Sequence, residues 1–155
     1  FEPFTESAYA SWLRKMKTEV DAAHAQMTPV DCSDTTCLSA SRLTVEVSAV
    51  AEQVDPTDAR ASWHRVSIGT IDLVGVSGEP VSEYAPFVNH SGNSPHRVRI
   101  PVGCIDDVFG YVPSRRMMRE GGYEACGFCD DFGIRSLRPT LEEEMKRNLT
   151  RVLDL

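Results

Sequence analysis

Two runs separated by a glycine make up the stretch Trp63-His-Arg-Val-Ser-Ile-Gly-Thr-Ile-Asp-Leu-Val-Gly-Val76. Because Gly69 interrupts them, the runs predict either a β-hairpin or one bent strand. The second run, residues 71–76, is apolar enough to lie in the centre of a sheet. Glu79 follows it in a Gly-Glu-Pro turn, where Gly78 lets the backbone bend sharply. A carboxylate at the end of a buried strand lies where ligands usually bind.

The region before this stretch predicts one helix and one strand. Residues 5–27 form an amphipathic helix with Thr5 as its N-cap. Its apolar stripe is expected in the core and comprises residues three or four apart, namely Tyr9, Trp12, Leu13, Met16 and Val20. Turn-forming residues over 28–42 predict a surface loop. Alternation over 43–50 predicts a half-buried strand, and residues 54–59 predict a connector.

The region after the stretch predicts three helices and one more strand. Residues 80–88 suit a helix with proline in its first turn, which would place Glu79 at the helix N-terminus. Residues 89–95 predict a loop and 97–102 a strand, and residues 113–120 a short helix that ends at a Gly-Gly pair.

The last helix is predicted to open at Thr140, with Glu143 at the reciprocal capping position. Its buried side is expected to comprise Leu141, Met145, Leu149, Val152 and Leu153. The order of elements indicates one domain over residues 1–155 of the α/β or α+β class. That domain has a mixed sheet, flanking helices and a C-terminal amphipathic helix.

Tyrosines are the second group of candidate functional residues. Tyr111 lies between a glycine and a valine, on an extended segment that leads through Pro113 into a helix. The proline fixes the local backbone, so the phenol is aimed with little freedom. Such a placement suits a metal ligand or a donor to a developing anion.

Composition limits the classes of partner. The 155 residues carry 16 Lys and Arg against 23 Asp and Glu, for a net charge of −7, which argues against a duplex nucleic-acid partner. No stretch approaches the roughly 20 apolar residues of a membrane span. The chain starts at Phe1 without a methionine or a signal-like segment, so we expect it to come from inside a longer product.

Five cysteines form two close pairs and one single residue. Cys32 and Cys37 form the first pair, Cys126 and Cys129 the second, and Cys104 stands alone. Local disulfides or reduced thiols are the favoured interpretation. A structural zinc site or a redox motif is the alternative, although a redox motif would be expected at a helix N-terminus after a strand.

Several segments taken in order resemble the C-terminal portion of the neutral/alkaline non-lysosomal ceramidase family. These enzymes are zinc-dependent amidases that hydrolyse the N-acyl bond of ceramide. The resemblance covers roughly residues 40 to 155. It depends on the strand before the Gly-Glu-Pro turn, the Gly-Tyr-Val-Pro-Ser-Arg block at 110–115, the Gly-Gly-Tyr-Glu block at 121–124 and a leucine-rich terminal helix.

The resemblance implies a role for three residues. Glu79 and Tyr111 correspond to two ligands of the catalytic zinc, and Tyr123, twelve residues after Tyr111, corresponds to the tyrosine that supports the reacting amide. The family's two zinc-binding histidines and a serine come from an N-terminal half that this chain does not contain. We therefore expect a lipid amide as substrate, that N-terminal half as partner, and no activity from this chain alone.

Some positions depart from the family pattern. Ser77 stands where the family more often has proline, Ser114 where it often has threonine, and residues 104–107 where an asparagine-glycine loop is common. These departures affect the expected substrate specificity more than the expected metal binding.

Other interpretations of the same residues stay open. A glutamate after a strand often faces a helix N-terminus, and tyrosines at strand ends often only pack. His64 and His96 are less favoured as additional metal ligands. At the level of the whole chain, the alternatives are a binding module that has lost catalysis and a cysteine-based metal or redox domain.

Overall fold

The structure is a computed structural model that describes residues 5–29, 38–54, 60–91, 96–106 and 108–155. The chain divides into two compact units, Phe1–Asp31 and Cys32–Leu155. The first unit contains one helix, and the second contains the sheets, the remaining helices and the residues singled out above. Within the described residues, none of the helices has the length and apolarity to cross a bilayer.

Helix α1 spans Glu6–Ala25 and confirms the predicted helix and its cap, since the Thr5 side chain accepts a hydrogen bond from the Ala8 backbone N–H. The prediction that its stripe is core is wrong. No residue of α1 is buried, and the stripe from Tyr9 to Val20 stays 44–59% exposed. Among the described residues of this unit, α1 is the one helix, so within the unit they offer no second layer against which to bury its apolar side.

The main sheet has four strands in the order β1-β3-β4-β6. They span Leu38–Glu46, Arg60–Ile68, Ile71–Val76 and Val98–Val102. The first three run antiparallel, and β6 pairs parallel with β4. Of the two predicted options, the hairpin is the one observed: Gly69, at φ +56°, closes the β3–β4 turn. The apolar run lies inside the sheet as predicted, because β4 has a neighbour on each side.

The predicted loop over 28–42 and strand over 43–50 are wrong at their boundary. Strand β1 begins at Leu38, which pairs with Ile68, while residues 30–37 lie outside the described ranges. Pairing along the whole of β3 holds polar, turn-forming residues in an extended conformation. After Glu46 the chain makes a 3-10 turn and then strand β2, Ala51–Gln53. The connector predicted at 54–59 lies almost wholly outside the described residues.

A second, two-stranded sheet was not predicted. Strand β2 pairs antiparallel with β8, Ile134–Leu137, and the register shifts after Glu52. A third pair, β5 (Glu79–Pro80) with β7 (Tyr111–Val112), is parallel and only two residues long. This short pair holds two of the predicted functional residues.

The predicted helix over 80–88 is wrong at its start. After β5 the chain makes a 3-10 turn at Ser82–Tyr84, and helix α2 spans only Ala85–His90. Its prolines occupy strand β5 and the first turn of α2, the positions that proline tolerates. Glu79 therefore lies on a strand and not at a helix N-terminus. Helix α2 also extends into the loop predicted from residue 89, of which 92–95 lie outside the described residues.

Helix α3, Arg115–Glu120, agrees with the predicted short helix apart from a start two residues later. The Ser114 hydroxyl caps it by accepting from the Met117 backbone N–H, and Gly121, at φ +80°, ends it. The Tyr84 hydroxyl donates to the Pro113 carbonyl at 3.1 Å. That bond ties the 3-10 turn after β5 to the segment that follows β7.

Helix α4, Leu141–Asp154, packs against β1 and β3 and completes the core. Four of the five residues predicted to be buried are buried, and Leu153 is partly buried. The predicted reciprocal cap does not form: Thr140 makes no side-chain cap, and Glu143 pairs instead with the Arg115 guanidinium. The ion pair to α3 leaves the glutamate unable to reach back to the start of its own helix.

Gly75 of β4 lies beneath the side chain of Ile105. A Cβ built at Gly75 would lie 1.9 Å from Ile105 Cδ1 and 3.2 Å from the Val102 carbonyl oxygen. We therefore expect Gly75→Ala to lower the free energy of unfolding by about 1–3 kcal/mol through overpacking. Denaturant titration measures this, and Ile105→Ala in the same chain should recover part of the loss. If the double variant loses as much stability as the two single variants added together, Gly75 and Ile105 are not in contact.

Candidate functional site

Glu79 and Tyr111 are register partners in the short parallel pair β5–β7. The Glu79 backbone N–H donates to the Gly110 carbonyl at 2.9 Å, and Val81 N–H to the Val112 carbonyl at 3.2 Å. Side chains at the same position of neighbouring strands lie on one face, with backbones about 4.8 Å apart. The structure thus brings together two of the predicted site residues. Their role as metal ligands stays a prediction.

Tyr123 lies beside this pair. Its ring meets the Tyr111 ring edge-on, with centroids 5.8 Å apart and planes at 74°. Its hydroxyl donates to Asp131 Oδ2 at 3.1 Å. This hydrogen bond is the main cause that raises the pKa of Tyr123 above its ordinary value. Tyr123 is therefore positioned next to the pair, with Asp131, a residue that the sequence did not indicate, as its partner.

A surface cleft of about 350 Å³ opens over Glu79 and Tyr111. We call it the polar cleft, because its lining is rich in charged and hydrogen-bonding groups, namely Glu79, Ser82, Glu83, Tyr111, Arg116 and Glu124. Arg116 pairs with Glu83, which lines the cleft, and with Glu120, which does not. The cleft is accordingly acidic, with one guanidinium already shared between two carboxylates.

Packing fixes the Tyr111 ring, and the charge of Glu79 raises the pKa of its hydroxyl. The ring contacts the fully buried Phe128 at a centroid distance of 5.3 Å. The negative charge of Glu79 is the main cause that raises the pKa of the Tyr111 phenol, with smaller contributions from burial and from Glu124. Tyr111 therefore keeps its proton to a higher pH than an ordinary tyrosine.

Removing the charge of Glu79 should lower the pKa of Tyr111. We expect the phenol in Glu79→Gln to ionise at lower pH than in the unaltered chain, because the phenolate no longer faces the negative charge of Glu79. Ultraviolet titration of tyrosinate absorbance, compared with a Tyr111→Phe chain to assign the signal, measures this. An unchanged Tyr111 titration would mean that the two side chains do not interact. Glu52→Gln, on β2, is the control variant.

The donor set of the polar cleft suits a divalent cation. A carboxylate and a phenol oxygen face one cleft, and a cation bound to both would offset the charge of Glu79 and favour the ionised form of Tyr111. Among the described residues, no group of three His, Cys, Asp or Glu side chains could hold a metal ion. The role of Glu79 and Tyr111 as metal ligands stays a prediction.

A second cavity, of about 570 Å³, shares the segment Glu79–Ser82 with the polar cleft. We call it the apolar groove, because most of its lining is hydrophobic, namely Pro80, Val81, Tyr84, Ala85, Pro101 and Val102. The exposed thiol of Cys104 also lines it. Glu79 therefore lies at the junction of a polar and an apolar cavity.

The loop between β6 and β7 is fastened to the sheet by Asp106. Its Oδ2 atom lies 2.8 Å from His64 Nε2 and 2.9 Å from Arg42 Nη2, and it accepts from the Ser62 hydroxyl at 3.1 Å. Backbone bonds continue the attachment, with Cys104 N–H donating to the Gly78 carbonyl at 2.7 Å. The sequence did not indicate this cluster. Through the hydrogen bond to Gly78 it helps to position the turn that precedes Glu79.

The histidines weighed as additional ligands do not join Glu79 in this structure. His64 contacts Asp106 and Ser62, and His96 lies on an exposed turn. Neither lines the polar cleft.

The described cysteines carry free thiols. Cys104 and Cys126 are exposed, while Cys129 is buried, and burial is the main cause that raises its pKa. Cys126 and Cys129 lie in a π-helical turn at 123–127 and the 3-10 turn that follows, a setting that differs from a helix N-terminus after a strand. Cys32 and Cys37 lie outside the described residues.

Comparison of the chain with protein-family models, with curated proteins and with solved structures finds no match in any of the three.

Proposed function

We propose that this chain is the C-terminal part of a ceramidase-like zinc amidohydrolase that cleaves the N-acyl amide bond of ceramide or a related lipid amide. The observation that carries the proposal is the pairing of Glu79 with Tyr111 across β5 and β7 at the polar cleft. The Tyr123 ring contacts the Tyr111 ring edge-on, so the three residues that the family resemblance selects from distant positions form one cluster. The apolar groove next to Glu79 supports a substrate with a hydrophobic chain.

Glu79 and Tyr111 would hold the zinc, together with ligands from a part of the enzyme outside this chain. When bound, zinc activates water as a nucleophile and polarises the amide carbonyl. Glu79 contributes a negative charge. Tyr111, whose reference pKa is about 10, has to give up its proton to serve as an anionic ligand.

Tyr123 would donate a hydrogen bond to the amide oxygen as that oxygen gains charge. In the structure the single hydroxyl proton of Tyr123 is donated to Asp131 at 3.1 Å, so the hydroxyl would turn from Asp131 to the amide oxygen when the substrate binds. Loss of one such donor typically costs about 10²–10³-fold in turnover. Tyr123 is thus the residue of this chain assigned to the transition state and not to the metal.

Co-production of this chain with the N-terminal part of its enzyme tests the proposal. We expect zinc content and hydrolysis of N-acyl lipids only when both parts are present, because the chain supplies two ligands of a larger set. A mixture that contains both parts in folded form and hydrolyses no N-acyl substrate would refute the proposal. The separate parts, assayed at the same concentrations, are the controls.

A further inference from the structure

Three arginines surround the carboxylate of Asp72 near the β3–β4 turn. Asp72 on β4 is the register partner of Ser67 on β3 and of Arg99 on β6. Arg65 of β3, Arg97 just before β6 and Arg99 approach this carboxylate with N–O distances of 3.2, 2.6 and 4.0 Å. We call these three side chains the arginine cluster. They lie together because residues two apart on a strand face the same side of a sheet.

The arginine cluster carries more positive charge than its carboxylate balances. Burial would raise the pKa of Asp72, but hydrogen bonds from Arg97 and Ser67 hold that pKa well below its ordinary value, so the carboxylate is ionised at neutral pH. Among the described residues, the ion pairs of all three guanidinium groups go to Asp72. One negative charge against three positive charges leaves two in excess. This excess is local, since the whole chain has a net charge of −7.

Arg99 is the member of the cluster whose donors are least used. Its side chain is only 7% exposed, and it approaches Asp72 no closer than 4.0 Å. Its Nε–H is fully buried and has no hydrogen-bond partner among the described residues. Buried polar groups nearly always have a partner, and a guanidinium carries five N–H donors. An arginine this buried, beside a carboxylate that two other arginines already use, indicates a further acceptor.

The cluster is open to solvent at its rim. The side chains of Arg97 and Arg65 are 23% and 21% exposed. Arg97 donates to Asp72 from Nε and Nη2, so its Nη1 remains for another acceptor. Arg65 is more fully used, because its Nε donates to Asp72 and its Nη1 to the Leu153 carbonyl at the end of α4. An anion that enters from solvent therefore meets Arg97 and Arg99 first.

We propose that the arginine cluster binds a dianionic phosphate group, either inorganic phosphate or the end of a phosphomonoester, with Arg99 and Arg97 as its main donors. The two negative charges match the local excess, whereas a phosphodiester or a carboxylate brings only one. Planar guanidinium groups donate pairs of N–H bonds to phosphate oxygens. None of the three arginines lines the polar cleft or the apolar groove, so the proposal is independent of the proposed hydrolase.

Phosphorus-31 NMR titration of the 155-residue chain tests the proposal, at constant ionic strength and about pH 8, where the phosphate group is dianionic. We expect inorganic phosphate or methyl phosphate to bind saturably at one site per chain, and dimethyl phosphate, a monoanionic diester, to bind at least about tenfold more weakly. Saturable binding of neither dianion, or equal binding of the diester, would overturn the proposal. Methyl phosphate that binds as tightly as inorganic phosphate assigns the site to a phosphomonoester, and weaker binding assigns it to the free ion.

Matched arginine variants test the assignment of the donor. Arg99→Met should weaken phosphate binding by about tenfold or more, the usual effect of losing a hydrogen bond to a charged group. Arg99→Lys keeps the charge but not the planar pair of donors, so its affinity should lie between those of Arg99→Met and the unaltered chain. Arg135→Met, which changes an exposed arginine on β8, should leave phosphate binding unchanged.

Stability separates a ligand-binding role of Arg99 from a structural one. In phosphate-free buffer, Arg99→Met should be at least as stable as the unaltered chain, because replacement of a poorly paired buried charge by an apolar side chain is often neutral or stabilising. Denaturant titration measures this. Unfolding or a marked loss of stability in Arg99→Met would show that Arg99 serves the fold and would overturn the proposal. Unchanged phosphate binding in Arg99→Met, or equal weakening in Arg135→Met, would overturn it as well.

Discussion

Replacement of Asp72 by alanine is expected to lower the free energy of unfolding by about 3–5 kcal/mol, the typical cost of breaking a buried ion pair. Asp72 is fully buried on β4. Its carboxylate accepts from Ser67 Oγ at 2.6 Å, from Arg97 Nη2 at 2.6 Å and from Arg65 Nε at 3.2 Å. The side chain of Arg99, only 7% exposed, lies 4.0 Å away. Without Asp72, the partly buried guanidinium groups of Arg65 and Arg97 and the nearly buried one of Arg99 lose their counter-charge.

Denaturant titration measures this loss, with Glu52→Ala as the control. Glu52 forms an exposed ion pair with Arg135, so its removal should cost less than about 1 kcal/mol. The loss of unfolding free energy in Asp72→Asn should lie between the losses in Asp72→Ala and Glu52→Ala, because the amide keeps the shape of the side chain and one hydrogen-bond acceptor. A loss in Asp72→Ala no greater than that of the control would contradict the assigned role of the cluster.

The same carboxylate predicts an acid dependence of stability. Burial alone would raise the pKa of Asp72, but hydrogen bonds from Arg97, Ser67 and Arg65 outweigh it and hold the pKa well below the ordinary value. Because the pKa of Asp72 is lower in the folded than in the unfolded chain, its ionised form stabilises the fold. This contribution to the free energy of unfolding is complete above the unfolded pKa of about 3.9 and is lost as pH falls through the folded pKa. Asp72→Asn should remove this part of the acid dependence.

If the proposed function holds, loss of either proposed oxygen ligand, Glu79 or Tyr111, is the second large expected effect. Second-shell partners of metal ligands typically contribute 10–100-fold to affinity or activity, so removal of a direct ligand should cost at least about 100-fold. We expect Glu79→Gln and Tyr111→Phe each to lose zinc and hydrolysis together. Zinc analysis after dialysis and turnover of an N-acyl lipid measure the two losses.

Two conservative controls accompany these variants. Glu120→Gln removes a carboxylate near the polar cleft that does not line it, and Tyr9→Phe removes a phenol on α1. Both should keep zinc and activity. Retention of both properties in Glu79→Gln and Tyr111→Phe would contradict the proposed ligands, whereas loss of activity with full zinc content would assign them to another step.

Elements that are determined by residues close together in the sequence were predicted from the sequence. The β3–β4 hairpin follows from two runs around Gly69, and α4 follows from apolar residues at helical spacing. Strands β2 and β8 were missed because each is only three or four residues long and exists through pairing with a distant partner. For the same reason, the start of β1 could not be placed before its register with β3 was known.

The order of the sequence suggested that the candidate residues lie close together, and their chemical roles stay predictions. Sequence order singled out Glu79, Tyr111 and Tyr123, and the structure places them in one cluster. The supporting groups could not be foreseen, because Asp106 meets Arg42 and His64 only through the sheet register and a loop that crosses its edge. The helix predicted after Glu79 begins later than expected because pairing with β7 holds Glu79 and Pro80 in a strand.

Crystals of the complete enzyme, measured at the zinc absorption edge, test the central claim most directly. The claim is that Glu79 and Tyr111 bind one divalent ion whose remaining ligands lie outside this chain. We expect an anomalous peak about 2.0–2.2 Å from both the Glu79 carboxylate and the Tyr111 phenolate oxygen. A zinc peak at other ligands, with those two oxygens outside its coordination sphere, would contradict the account.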